Sequence, residues 1–439
     1  MFVKPANWNK LTPDEKKKLR MDHWEKAEGV QFVSPEAEAN YRERAKRLRA
    51  CYDLSYPDRP VADIGGGEYA VRRAGFTGVD MVYNHANTVQ PMIDFHEEFQ
   101  PDTAQMSFPY PGTVFEILDL KTYQWTGHPL PNHQLIQMVE REYMTADEYP
   151  AFTADPTGWF MKNYMGRMFG SLGALSMMPD FARITEIVDV MGMVAPFGLP
   201  PMQEALKTLM RAGEEMLKVF GAIGGMNLAG RGFPGMGAGF GKVPFDFLGD
   251  TLRGTKGIMM DMYRHPKQVQ AACEAYVPLL VKQLVDACDA AAAPTVMFPL
   301  HKGTDTFMSQ QQFDTFYWPT MKALYLGLWE EGIMPCSFVE GSYNFRLERL
   351  AEMPKGSCYW FFDQTDMAKV KDCLEGIATI GGNVPPSLMQ TGSPEKLQEY
   401  CDWLVDLYSG SAGYILAMGC GYETTTDEKV RILRDSVKK

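Results

Sequence analysis

Features that mark membrane and secreted proteins are missing from this chain of 439 residues. No apolar stretch is long enough to cross a bilayer. The first residues also lack the basic and then apolar pattern of a secretory signal peptide. The sequence therefore predicts a protein that does not enter a membrane, and we expect it in the cytoplasm.

Positive charge and paired cysteines are also scarce. The chain has 43 lysines and arginines against 55 acidic residues, a formal net charge of −12, and no basic patch. This balance argues against a nucleic-acid partner. The eight cysteines show no paired spacing, which is typical of reduced thiols in a cytoplasm. Methionine is abundant, with 30 residues, and its flexible side chain adapts to varied apolar ligands.

The first 60 residues predict a helical extension. Thr12-Pro13-Asp14-Glu15 forms a capping box with proline at the first helical position. A second, charged helix is expected to begin at Ser34-Pro35-Glu36 and to run to about Leu48. We assign residues 1–60 to this extension and residues 61–439 to the main domain.

Residues 185–245 form an apolar insertion, rich in Met, Phe, Pro and Gly and poor in strand signals. The glycines from Gly221 to Gly241 predict a mobile loop. They do not predict a phosphate loop, since no strand precedes them and no Gly-Lys-Ser/Thr follows. Two interpretations stay open. The insertion is a lid whose apolar wall includes Met226, or it is a subunit contact in a homodimer.

From about residue 250, short apolar strands alternate with helices. Such alternation predicts a parallel sheet, and its repeated register predicts an α/β fold of the (β/α)8 TIM-barrel type. Strands are expected at residues 295–300, 336–339, 359–362, 377–380 and 414–417.

Each of these strands leads into a residue that can take part in chemistry. In a parallel barrel the carboxyl ends of the strands converge on one face. A histidine nitrogen, two carboxylates and a thiolate are ligands that zinc accepts. The residues are His301, Glu340, Asp363, Asn383 and Cys420. Together they predict a functional cluster with a metal site.

Each residue also has a purely structural interpretation. Glu340 and Asp363 could cap helices, and His301 could hydrogen-bond within the core. Cys420, in the turn Gly419-Cys420-Gly421, could be a buried thiol. The glycines there let the backbone turn sharply and approach a ligand, and the convergence of all these residues favours function.

A weaker alternative comes from the segment Val61 to Gly67. It resembles the glycine turn of S-adenosylmethionine-dependent methyltransferases, with Asp80 as a ribose-binding acid. The strand before the glycines is short, and no series of βαβ units follows. This alternative would predict tight binding of S-adenosylmethionine and no corrinoid partner.

A set of short motifs links the C-terminal part of the chain to a known family. The motifs are Phe245-Asp246, Leu252-Arg253-Gly254, Asp261, Trp318-Pro319, Val339-Glu340-Gly341, Gly382-Asn383-Val384-Pro385-Pro386 and Gly419-Cys420-Gly421. In these residues the sequence resembles the uroporphyrinogen decarboxylase superfamily from about residue 245 onward. The segment Phe99 to Asp102 fits an earlier part of the family. The resemblance implies a (β/α)8 barrel with its site at the carboxyl mouth.

The resemblance implies one of two activities. The decarboxylases clamp porphyrinogen carboxylates with an Arg-Gln-Ala-Gly-Arg segment, of which Arg72-Arg73-Ala74-Gly75 is a faint echo. They carry histidine at the position of Cys420, where the corrinoid-linked zinc methyltransferases carry cysteine. Those methyltransferases also use a His-x-Cys pair where this chain has Phe338 and Glu340.

The methyltransferase branch is therefore the favoured resemblance. Together with this branch, the convergence of the strand ends predicts zinc bound by Glu340, Asp363 and Cys420, with His301 as a candidate fourth ligand. Such an oxygen-rich site suits the polarisation of an ether oxygen. The implied reaction moves a methyl group from a small methylated donor, by preference a methoxylated aromatic, to a separate corrinoid protein.

We also assign an expected role to each site residue. Glu340, Asp363 and His301 are expected to be catalytic, and Asn383, Phe338 and Met226 are expected to bind substrate. Two other functions remain open: a decarboxylase that acts on a tetrapyrrole, and a tetrapyrrole or corrinoid carrier that binds without turnover.

Overall fold

A parallel sheet of six strands forms the centre of the protein, in a computed structural model that describes residues 1–105, 108–235, 237 and 239–438. The strands in chain order are β1 (Val61–Asp63), β2 (Tyr123–Thr126), β3 (Pro129–Leu130), β4 (Ile136–Met138), β5 (Thr295–Leu300), β6 (Met334–Val339), β7 (Tyr359–Phe362), β8 (Thr379–Gly382) and β9 (Tyr414–Ala417). The central sheet has the order β1-β9-β8-β7-β6-β5, and β3-β2-β4 form a small separate sheet.

Extended segments of the chain run along both edges of the central sheet. Residues 102–105 lie beside β1, and residues 239–241 lie beside β5. The linking hydrogen bonds run from Ala62 N to Asp102 Oδ2 (3.0 Å), from Ala104 N to Pro234 O (2.9 Å) and from Gly241 N to Met297 O (2.9 Å). These bonds tie segments of the chain to both edges of the sheet. The parallel α/β sheet agrees with the predicted TIM-barrel fold class, which is confirmed.

Helices surround the sheet and connect its strands. The longer ones are Pro13–Glu25, Pro35–Tyr52, Gly67–Arg73, Ala86–Phe99, Gly112–Leu118, Ile187–Val194, Pro200–Gly224, Gly254–Arg264, Pro266–Ala291, Trp318–Trp329, Met367–Leu374, Pro394–Leu407 and Asp427–Asp435. The predicted strands are all present, although β6 begins earlier than expected and β8 lies two residues further on. In the described part of the chain, no helix is both long and apolar enough to cross a membrane.

The N-terminal helices cover the amino end of the barrel. Trp24 and Tyr52 pack with Met334 and Tyr359, which lie at the starts of β6 and β7. Lys17 Nζ donates to Gly356 O at 3.1 Å, just before β7. The amino end is therefore filled, and the carboxyl ends of the strands remain for a site.

The segment 185–245 is largely helical, and the loop predicted for it is wrong in part. Helix Pro200–Gly224 continues through Phe220 and Gly221. Its Leu, Met, Glu and Lys residues favour helix strongly enough to offset the cost of about 1 kcal/mol per glycine. Residues 236 and 238, in the same predicted loop, lie outside the described residues.

The Met and Phe side chains of this segment do not form one apolar wall. Met202 is fully buried in a small core with Val114 and Leu118. Met191 is 71% exposed and Phe220 is 57% exposed. The segment therefore has an inner face that is already packed and an outer face that is open.

Candidate functional site

Four of the predicted site residues form an arc at the carboxyl end of the barrel. The last paired residues of neighbouring strands are Leu300, Val339, Phe362 and Gly382. The residues that directly follow them are His301, Glu340, Asp363 and Asn383. Because the four preceding residues are paired with one another across neighbouring strands, the four site residues lie side by side at one level of the barrel.

The imidazole of His301 lies between two carboxylates. Its Nδ1 is 2.5 Å from Asp250 Oδ2, and its Nε2 is 3.5 Å from Glu340 Oε2. Burial of the ring opposes its charged form, but the hydrogen bond to Asp250 and the charges of Asp246 and Asp250 outweigh this and raise the pKa of His301. His301 and Glu340 are thus brought together as the sequence predicted.

Asp250 is held in its ionised form by its surroundings. Burial alone would raise its pKa, but the hydrogen bond with His301 and the cations of Lys242 and Lys302 hold the pKa well below its usual range. The two ammonium groups lie 2.8 and 3.0 Å from its oxygens. An ionised Asp250 accepts the Nδ1 proton of His301, and Nε2 therefore faces Glu340.

Asp246 organises the loop that carries His301. Its fully buried carboxylate accepts the backbone N–H groups of His301 (2.9 Å) and Lys302 (2.8 Å) and the hydroxyl of Tyr317 (2.7 Å). Burial and the charge of Asp250 raise the pKa of Asp246 to about 6. Sequence analysis missed the roles of Asp246 and Asp250. The signal was present in the family motif that contains Phe245-Asp246.

Asp363 is fixed beside Glu340 by the backbone. Gly341 N donates to Asp363 Oδ2 at 3.0 Å, and burial raises the pKa of Asp363 although this hydrogen bond lowers it. The helix after β7 is capped by Asp366, which accepts from Ala368 N and Lys369 N. Asp363 is thus not the cap of that helix, and its Oδ1 lies beside the turn at Gly419.

Asn383 has a structural role that differs from the predicted one. Its side chain is buried and donates to Asp363 O and Thr365 O, both at 3.0 Å, and accepts from Tyr400 OH at 2.8 Å. These bonds tie the loop after β7 to the end of β8. We therefore assign Asn383 to loop positioning rather than to substrate contact.

Cys420 is exposed, whereas the other seven cysteines are buried or half-buried. A Cβ atom at Gly419 would lie 3.2 Å from Cα of Asp363, so only glycine lets this turn pack so closely on β7. Partial desolvation of the sulfur and the charges of Asp363 and Glu340 raise the pKa of the Cys420 thiol, against the effect of the Gly421 N–H. The thiol is therefore on the same side of the barrel as the carboxylates and is not a core cysteine.

The donor atoms at the mouth suit zinc in kind but are not gathered around one point. Histidine nitrogen, carboxylate oxygen and thiolate sulfur are all zinc ligands. A histidine held at its second nitrogen by a carboxylate, as His301 is by Asp250, is the usual arrangement of a metal-binding histidine. Within the described ranges, however, no three His, Cys, Asp or Glu side chains are close enough to hold a metal ion as they stand.

An aromatic surface lies directly below this arc, inside the barrel. Neighbouring residues on β5 to β7 point outward, since Phe298, Ser337 and Trp360 all contact Tyr325 on a surrounding helix. The alternating residues therefore point inward. Two of these, Phe338 and Phe361, stack with ring centroids 5.0 Å apart and planes at 17°. Both keep contact with solvent.

Two further sequence predictions can be placed. Phe338, expected to contact substrate, lies one inward step below Glu340 on β6. Met226 is 4% exposed and packs in the main core, so it presents no free surface to a substrate. Its burial results from tertiary packing, which the local sequence does not reveal.

The residues of the two rival motifs are engaged in structural contacts. β1 pairs with β9 as a barrel strand, and Asp80 accepts Thr77 N at 2.9 Å as part of a capping box. Arg72 and Arg73 form ion pairs with Glu68 and Asp427, at 2.6 and 2.7 Å. Neither a ribose-binding acid nor a carboxylate clamp is therefore free at these positions.

The fold is of the TIM-barrel type, and the candidate site lies at its carboxyl mouth. Residues 238–439 match the family model of uroporphyrinogen decarboxylase (URO-D). The resemblance drawn from the sequence is confirmed for this part of the chain.

Comparison with solved structures gives 23 matching chains. One is a methyltransferase from Methanosarcina mazei, with 14% sequence identity and a TM-score of 0.57, over 90% of this chain and 98% of that one. At this identity the likeness concerns the fold. No curated protein sequence matches the chain.

Proposed function

We propose that this protein is a methyltransferase that moves a methyl group from a small methylated donor to a corrinoid carried by a partner protein. The observation that carries the proposal is the arc of His301, Glu340 and Asp363, with Cys420 beside it, above a stacked aromatic pair. The match of residues 238–439 to the family model and the fold shared with a protein described as a methyltransferase support this proposal.

The favoured donor is a methoxylated aromatic compound. Phe338 and Phe361 stack on one another and offer an apolar aromatic surface just below the polar arc, and aromatic rings pack well in offset or edge-to-face contact with such groups. A donor that lies on this surface would direct an ether oxygen toward Glu340 and Asp363. Pockets of this kind, apolar with a few polar groups at one end, are typical of small-molecule sites.

The proposed reaction breaks one carbon–oxygen bond and forms one carbon–cobalt bond. The bond between the methyl carbon and the ether oxygen breaks, and the methyl carbon bonds to the reduced cobalt of the partner's corrinoid, which supplies the electron pair. The electrons of the broken bond stay on the oxygen as a phenolate, which then takes up a proton. The protein contributes orientation of the donor and removal of water from the mouth.

We further propose that Glu340, Asp363 and Cys420 hold a zinc ion, with His301 as the fourth ligand. When bound, zinc would supply Lewis acidity toward the ether oxygen. The residues of the chain prepare this site in three ways. Asp250 keeps Nε2 of His301 turned to the mouth, Gly341 N fixes one oxygen of Asp363, and Gly419 brings Cys420 alongside.

The partner protein has one face of the barrel to approach. The N-terminal helices fill the amino end with Trp24, Tyr52 and their neighbours. A corrinoid that accepts the methyl group must therefore come to the carboxyl mouth.

The test uses the purified full-length protein, reduced cobalamin as the methyl acceptor and a panel of methoxybenzenes. Methylation of the cobalamin is followed by absorbance. We expect transfer by the native protein and a loss of at least about tenfold in Glu340→Gln and Cys420→Ser. Cys373→Ser, at a half-buried thiol away from the arc, is the matched control.

Two results would contradict the proposal. The first is the absence of methyl transfer from every donor together with decarboxylation of uroporphyrinogen, which would establish the decarboxylase alternative. The second is tight binding of cobalamin without turnover of any donor, which would indicate a carrier.

A further inference from the structure

Asp63 extends the arc of site residues to the opposite side of the barrel. It is the last residue of β1, where it pairs with Ala417 of β9. Two residues closer to the amino ends of the strands, the inward-facing residues paired across the sheet are Pro299, Phe338, Phe361, Gly381, Ile415 and Val61. Since Asp63 follows Val61 by two residues, it faces inward at the same level as Glu340 and Asp363.

The carboxylate of Asp63 is held by one oxygen only. Oδ1 accepts from Gln105 Nε2 at 2.7 Å, from Thr103 Oγ1 at 3.3 Å and from Gly65 N at 3.4 Å. Among the residues that the structure describes, none donates a hydrogen bond to Oδ2, and no lysine or arginine forms an ion pair with Asp63. Asp63 is half-buried, so Oδ2 remains open to a ligand that can donate a hydrogen bond.

The interior of the barrel is not completely packed at this level. Asp63, Met297, Phe338 and Phe361 all face the interior, and all four keep partial contact with solvent. Side chains that face a barrel interior keep such contact where the interior is not filled. The interior therefore has aromatic rings on one side and, on the other, a carboxylate oxygen to which no described residue donates.

We infer that Asp63 binds a hydroxyl group on the ring of the aromatic donor, so that the preferred substrates are methoxyphenols rather than arenes whose oxygens are all methylated. This inference rests on the proposed function and adds the group that sets its specificity. A phenolic O–H donated to Oδ2 would supply the missing hydrogen bond, and bonds to a charged acceptor are the stronger kind.

The geometry explains why this contact would orient the donor. Asp63 and the arc of His301, Glu340 and Asp363 lie at one level on different strands of the ring. A ring packed against Phe338 and Phe361 and bound by its hydroxyl to Asp63 would have its other substituents turned toward that arc. Burial raises the pKa of Asp63. This direction is consistent with a carboxyl group that has no cation beside it.

The experiment measures binding alone, by titration calorimetry with the full chain and without a corrinoid. The ligands are the three isomeric methoxyphenols and the three methylanisoles, in which a methyl group replaces the hydroxyl at nearly constant shape. We expect the best methoxyphenol to bind the native protein about tenfold more tightly than its methylanisole, as one charge-assisted hydrogen bond would give. In Asp63→Asn this preference should fall to within about twofold.

Asp94→Asn, at an exposed helical carboxylate, is the control and should keep the preference. Equal affinity of the native protein for both members of each pair overturns the inference without any variant, and so does the absence of binding. Equal weakening of both ligands in Asp63→Asn would give Asp63 a structural role and also overturn it. Because no methyl transfer is measured, failure here leaves the transfer assay to decide the proposed function separately.

Discussion

The carboxylate of Asp250 lies 2.5 Å from Nδ1 of His301 and decides which nitrogen of the imidazole faces the mouth of the barrel. Replacement by asparagine keeps the shape but removes the charge, and it leaves Lys242 and Lys302 without their partner. We expect Asp250→Asn to lower zinc affinity and methyl transfer by about 10- to 100-fold.

Zinc affinity is measured by competition with a chelator, and the thermal midpoint is measured alongside it. Asp94→Asn serves as the matched control. A variant that folds normally and binds zinc as tightly as the native protein would remove Asp250 from this role.

The metal site itself is testable by elemental analysis of protein loaded with zinc and then dialysed. We expect about one zinc per chain in the native protein and a large loss in Glu340→Ala and Cys420→Ala, because each variant removes one of few ligands. Cys373→Ala should keep its zinc. Equal metal content in all four proteins would defeat the assignment.

Phe338 should affect the affinity for aromatic donors more than the rate of transfer. Its stacking contact with Phe361 at 5.0 Å forms the surface on which a ring would lie. We expect Phe338→Leu to raise KM for methoxybenzenes by about fivefold with little change in kcat, since aromatic contacts contribute about 1 kcal/mol beyond their area. Phe345→Leu, at a side chain that is 74% exposed, should leave both constants unchanged.

His96 should make stability depend on pH. Its Nε2 accepts Gln105 N at 2.8 Å and its Nδ1 donates to Met92 O at 2.6 Å. Burial lowers the pKa of His96 to about 4. Protonation would place two donors face to face at Gln105, so the folded protein prefers the neutral ring.

The sign follows from this preference. Because the pKa of His96 is lower in the folded than in the unfolded chain, its contribution is present above about pH 6.5 and is lost as the pH falls toward 4. The total loss is about 3 kcal/mol. Urea unfolding of His96→Gln between pH 7.5 and 4 should show a flatter dependence than the native protein. His133→Gln, at an exposed histidine, should follow the native curve, and a parallel curve for His96→Gln would contradict the assignment.

The helix Ile187–Val194 should mediate self-association. Its residues include Ile187, 83% exposed, and Met191, 71% exposed, and apolar surface of this extent on a helix is typical of an interface. We expect sedimentation velocity to show a dimer that Ile187→Lys/Met191→Lys converts to monomer, while Val33→Lys does not. Amide protection of this helix that appears only with a bound methoxyarene would instead favour the lid.

The strands and their terminal residues were predictable because they are local. Val339-Glu340 and Phe362-Asp363 each show an apolar run that ends in a carboxylate, and the run alone places the residue at a strand tip. The network behind His301 was not predictable in this way. Asp246 and Asp250 precede His301 by more than fifty residues, and only the folded loop brings them together.

The position of Asp63 was likewise not predictable from the local sequence. In the sequence it belongs to a short strand before three glycines, and its partner strand β9 lies more than 350 residues away. The glycines predicted a cofactor site, whereas the pairing of β1 with β9 decides where Asp63 points. Helix Pro200–Gly224 was missed because glycine content suggested a loop and the surrounding helix formers outweighed it.

The packed amino end of the barrel has a kinetic consequence. With that end filled by the N-terminal helices, the proposed function would require the donor, the demethylated product and the corrinoid protein to use one opening. A docked partner would block the path of the donor, so the donor must enter first and its product must leave last. Initial-rate measurements should therefore show a compulsory order of addition, with the phenol acting as a competitive inhibitor toward the methoxyarene and not toward the corrinoid protein.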